Sequence, residues 1–111
     1  MVAAVVVATV VVGLFTTSVQ EVNPTITITN EGTYFTFSPS QLDAKVGQRI
    51  TIVNRDPYGA HTVTEKGRSF SVDIPPNSSA TLTVSKAGNY RYFCDWHPYD
   101  HDPRYPALDV S

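Results

Sequence analysis

The three histidines and the single cysteine of this chain are not scattered. His61 follows the turn-forming stretch Asn54-Arg55-Asp56-Pro57-Tyr58-Gly59-Ala60. Cys94, His97 and His101 share one loop, Cys94-Asp95-Trp96-His97-Pro98-Tyr99-Asp100-His101, behind the strand-like Tyr90-Arg91-Tyr92-Phe93. A thiolate with two imidazoles is a trigonal donor set suited to a one-electron copper site, and Cys-x-x-His delivers two such donors from one tight loop while the third arrives from a distant strand. Each residue alone has a duller explanation: a lone Cys in a β protein is usually a buried apolar filler, and a lone His beside a turn is usually just exposed. A Cys and His nucleophilic pair is the enzymatic alternative. It also needs an orienting group, an oxyanion donor set and a substrate cleft, none of which a chain this short signals, so the sequence reads as a non-enzyme.

Donors from distant segments must be held by rigid elements, and the sequence supplies strands. From Glu21 onward the apolar period is two: Ile26 and Ile28 alternate with Thr25, Thr27 and Thr29, Ile50 and Ile52 flank Thr51, and Leu82 and Val84 flank Thr83. Turn signals at Asn30-Glu31-Gly32, Val46-Gly47-Gln48, Asp56-Pro57-Tyr58-Gly59, Lys66-Gly67, Pro75-Pro76-Asn77 and Ala87-Gly88-Asn89 divide this pattern into about seven short strands. Only Ser38 to Ala44 offers even a helical turn. The fold class expected is all-β, an antiparallel Greek-key β-sandwich.

With 111 residues the chain is one domain at most, and a net charge of −2 gives no basic patch for nucleic acid. One cysteine excludes an intramolecular disulfide framework. All eight basic and ten acidic residues lie beyond residue 20. Val2 to Phe15 is a nearly unbroken apolar run followed by Thr16, Thr17 and Ser18, which reads as a signal peptide, although no basic residue precedes it and the cleavage site is weak. Extended to Val19 the run approaches the length of an uncleaved membrane anchor. A buried valine-rich strand is the plain alternative, but the run exceeds ordinary strand length. The division expected is a signal peptide or anchor over residues 1–20 and a domain over residues 21–111, placed outside the cytoplasm: periplasmic, cell-surface or secreted.

Several stretches together resemble the cupredoxins, the small blue copper proteins: Phe37 to Val53, Asn54 to Thr64, the Pro75-Pro76-Asn77-Ser78-Ser79 turn, and Gly88-Asn89-Tyr90-Arg91-Tyr92-Phe93-Cys94 with His97-Pro98. The resemblance implies that His61, Cys94 and His97 bind one copper ion, that Thr62 lies near the thiolate, and that electrons pass at the exposed end near His97. It departs from the family at the axial position, because the only methionine is Met1. The shortest family loop puts that position at Asp100 and a longer one at Asp102, with His101 between them. No strong axial ligand, an axial carboxylate and the His101 imidazole are therefore all open, and the polar, Pro-ended segment Asp100-His101-Asp102-Pro103 reads as a solvated rim.

Tyr90 and Tyr92 read as packing residues, while Trp96 must sit in the site loop, shielding the metal or meeting a partner. Asp95, Asp100 and Asp102 against Arg104 make the loop locally acidic, which would attract a basic protein redox partner. The function expected is single-electron transfer by an exported, monomeric copper protein. The alternative is copper carriage or storage without an electron-transfer role.

Overall fold

A computed structural model describes residues 23–111. The apolar leader, and with it the signal or anchor reading, lies outside the described residues. Ten strands follow: β1 (Thr25–Asn30), β2 (Phe35–Ser38), β3 (Gln41–Ala44), β4 (Arg49–Asn54), β5 (His61–Glu65), β6 (Ser71–Ile74), β7 (Ser79–Thr83), β8 (Gly88–Phe93), β9 (His101–Asp102) and β10 (Ala107–Val110). They form two five-stranded sheets, in the orders β7-β4-β1-β2-β9 and β3-β10-β8-β5-β6. Among the described residues no helix is long and apolar enough to cross a membrane. The segment with helical promise, Ser38 to Ala44, carries β3 instead, paired along its length with β10.

The all-β sandwich expected from the period-two pattern is present, with sheets that are mixed rather than wholly antiparallel. β1 with β4, β2 with β9, and β3 with β10 run parallel. Each of these pairs joins strands distant in sequence, and local turn chemistry says nothing about such pairings. Register follows from burial: along β1 and β4 the isoleucines Ile26, Ile28, Ile50 and Ile52 point inward, where they are almost wholly buried, and the threonines between them point outward. They pack with Phe37, Val63, Ile74, Leu82, Tyr92, Leu108 and Val110 into one core between the sheets. Each such side chain contributes roughly 1.5–3 kcal/mol by leaving water.

Two features of this frame matter for the donors. β5 runs between β8 and the edge strand β6, and its first four residues, His61 to Thr64, are all buried. β9 pairs in parallel with β2, setting His101 opposite Phe35 and Asp102 opposite Thr36. The alternation of that short strand turns His101 inward and Asp102 outward.

Candidate metal centre

His61 opens β5, and the loop before it is organised by Asn54 and Asp56. The buried Asn54 side-chain amide donates to the carbonyls of Gly59, Ile74 and Pro75 at 2.9, 3.0 and 3.0 Å, and its Oδ1 accepts the Asp56 N–H at 2.9 Å. Asp56, fully buried, accepts from Asn30 Nδ2 at 3.1 Å and from the Tyr58 N–H at 3.0 Å on Oδ1. Its other oxygen, Oδ2, meets His61 Nε2 at 2.8 Å. Burial pushes the Asp56 carboxyl up, but the bonds from His61, Tyr58 and Asn30 outweigh it and bring the carboxyl down to about 2. An ionised carboxylate can only accept, so the His61 proton sits on Nε2 and Nδ1 offers its lone pair.

Cys94 follows the last residue of β8 and is fully buried. Its Sγ accepts the Thr62 N–H at 3.4 Å. The Thr62 hydroxyl accepts the Asp95 N–H at 2.8 Å and lies 2.9 Å from the Thr64 hydroxyl, which in turn meets Ser71 Oγ at 2.8 Å. These bonds fasten the start of the Cys94 loop to β5, so Thr62 lies against the Cys94 sulfur through its own backbone. On the outer side Arg68 grips Asp95 through two bonds at 2.8 and 3.0 Å, an exposed pair that adds little stability.

The Cys-x-x-His spacing brings His97 Nδ1 to 3.6 Å from Cys94 Sγ, and His61 Nδ1 lies 3.8 Å from the same sulfur. His101 joins them with its Nε2 3.2 Å from His61 Nδ1. One ligand atom from each of His61, Cys94, His97 and His101 falls within 4.8 Å of all the others. Two nitrogens each ~2.0 Å from one tetrahedral ion lie ~3.3 Å apart, and a nitrogen and a thiolate sulfur ~3.5 Å apart, so the contacts of 3.2, 3.6 and 3.8 Å stand close to those of a single four-coordinate ion.

Of the three residues open for the fourth position, His101 stands in the cluster, and Asp102 is turned outward and exposed. Asp100 is exposed and contributes its backbone, accepting the Phe35 N–H at 2.8 Å. The solvated rim expected for His101 is corrected: it is 5% exposed, because pairing of β9 with β2 folds it under the loop. Burial, followed by the nearby His61 and His97, pushes the His101 imidazole down to about 3, while its buried Nδ1 has no hydrogen-bond partner among the described residues. His97 is the only half-buried member of the four.

Two contributors carry no motif signal. Phe35 places its ring 4.6, 4.9 and 5.2 Å from those of His61, His97 and His101, forming the common wall of the three imidazoles. Asp56 reads in the sequence as part of a turn; its position five residues ahead of His61, in a loop entered by Asn54, is the one local hint of its role. Tyr92 is core as expected, Tyr90 packs partly buried against it, and Trp96 is 53% exposed beside the site.

A family model for the cupredoxin-like domain matches residues 2–102. Among solved structures, a Cu(I) form of an amicyanin variant superimposes with a TM-score of 0.62 at 21% identity, covering 84% of this chain and 86% of that one. A purple cupredoxin from Nitrosopumilus maritimus superimposes with a TM-score of 0.63 at 22% identity, covering 80% of this chain and 100% of that one. No curated protein matches the chain in sequence.

Proposed function

This chain belongs to the cupredoxin-like domain family, and on that premise we propose that it holds one copper ion through His61, Cys94 and His97, with His101 as the fourth donor, and carries single electrons between protein partners. The observation that carries the proposal is the convergence of those four donors within 4.8 Å. Bound copper supplies a Cu(I)/Cu(II) couple. The chain's own residues supply the rest. Cys94 offers a buried soft thiolate tied to the Thr62 N–H, and Phe35, Phe37 and Asp56 hold the imidazoles in place. A frame this restrained keeps ligand movement small when the charge on the ion changes, which is what rapid one-electron exchange requires.

His97, half-buried, is the donor nearest solvent, and the exposed Trp96 and Tyr99 share its loop. Electrons enter and leave there. Asp95 is already matched by Arg68, which leaves Asp100 and Asp102 as the exposed acidic edge for a basic partner. The uncharged residues 1–20 support a place outside the cytoplasm.

Burial of three of the four donors favours retention of copper over carriage or storage. The test is repeated electrochemical reduction and reoxidation of protein loaded with one equivalent of Cu(II), in the presence of a Cu(I) chelator. Electron transfer requires reversible cycling with one copper kept per chain. Loss of copper to the chelator on the first reduction would turn the assignment to carriage.

A further inference from the structure

Resting on the copper reading above, we propose that Asp56 is a positioning residue of the centre: a buried carboxylate that fixes the ring and tautomer of His61 so that Nδ1 faces the ion as an unprotonated, strengthened donor.

A carboxylate removed from water costs several kcal/mol unless its oxygens are matched, and loops ordinarily avoid that cost by staying at the surface. Asp56 lies in the loop between β4 and β5 and is nonetheless fully buried. Its partners are divided in a telling way. Oδ1 is held by Asn30 Nδ2 and the Tyr58 N–H, while Oδ2 is turned to His61 Nε2 at 2.8 Å. Main-chain bonds hold the residue on both sides, since its N–H goes to Asn54 Oδ1 and its carbonyl accepts the Asn77 N–H at 3.1 Å. Gly59 leaves the space the carboxylate fills: a Cβ there would stand 2.9 Å from Oδ2 and 3.7 Å from His61 Nε2. The loop is shaped so that one carboxylate oxygen can reach one imidazole.

The second buried imidazole has no such support. Among the described residues His101 Nδ1 finds no hydrogen-bond partner, so of the two facing rings only His61 is backed by an acceptor there. A carboxylate behind a ligand histidine fixes the tautomer, raises the donor strength of the nitrogen facing the metal, and typically alters affinity 10–100-fold when removed. A purely structural Asp56 would affect folding stability and leave the state of the His61 ring unchanged.

Two variants separate these roles. Asp56→Asn removes the charge, and in either orientation of the amide its NH2 faces N–H donors of the loop or of His61. Gly59→Ala keeps the charge but displaces the carboxylate. The first readout is the His61 tautomer in copper-free protein by long-range 1H–15N NMR. The expected result is an Nε2–H ring in the parent and loss of that single tautomer in both variants. The second is Cu(II) affinity by chelator competition, which should fall roughly 10–100-fold in Asp56→Asn, together with a rise in reduction potential. If Asp56→Asn fails to fold, Gly59→Ala decides, and loss of its Nε2–H tautomer supports the proposal. Parent-like tautomer and affinity in a folded variant, even with lowered thermal stability, would overturn it. Failure of the parent itself to bind copper would defeat the copper reading, and the tautomer measurement would still decide what Asp56 does to His61.

Discussion

Phe37 lies stacked on His101, their ring centroids 4.2 Å apart and their planes inclined by 22°. The contact joins a core residue of one sheet to the fourth donor of the candidate centre, and it explains how a histidine flanked by two aspartates comes to be buried. It also ranks the residues open for the axial position.

Replacing His101 by Met should therefore raise the reduction potential of the copper-loaded protein and shift its spectrum, because a soft thioether favours Cu(I) over what an imidazole allows. Asp100→Met should be nearly silent, since its side chain stands outside the cluster. Voltammetry of the two variants checks this, and the reverse order of effects would remove His101 from the fourth position.

The core alternation, the all-β class and the closeness of Cys94 to His97 were legible in the sequence because each rests on a local pattern: period two, turn residues, or a three-residue ligand spacing; His61, 33 residues before Cys94, was joined to them through the family resemblance. The three parallel pairings were not, because they join strands far apart in the chain. His101 was misread for the same reason. Its neighbours Asp100 and Asp102 are polar, and what buries it is Phe35 and Phe37, more than sixty residues away. Asp56 was hidden because a buried carboxylate and a turn carboxylate look alike until the chain closes over one of them.

Asn54→Ala should destabilise the fold by at least about 2 kcal/mol, because the carbonyls served by its amide and the Asp56 N–H would lose their partners at about 1–3 kcal/mol for each buried group left unpaired. Chemical denaturation of the copper-free variant measures it. A cost near zero would mean that the loop ahead of His61 does not depend on this residue.

The copper-free protein should lose stability as pH falls from about 6.5 toward 3. Burial, ahead of the charges on His61 and His97, holds His101 down to about 3, and burial also lowers His61. A group depressed in the folded state binds its proton more readily when unfolded, so its contribution is complete above the unfolded value and disappears as pH drops through the folded one. Asp56, lowered to about 2, adds a loss of the same sign below about pH 4. Melting temperature against pH checks the trend, and His101→Leu should flatten it between pH 6.5 and 3. An unchanged slope in that variant would contradict the burial of a neutral His101.

If Cys94 Sγ is a copper ligand in company with the three imidazoles, the absorption spectrum of the Cu(II)-loaded protein must differ from that of Cys94→Ser. The parent should show an intense thiolate-to-copper charge-transfer band in the visible at one copper per chain. The serine variant, nearly isosteric but without the soft sulfur, should fold and lack the band. A parent that binds one Cu(II) with no such band, or a serine variant that retains it, would remove Cys94 from the copper site.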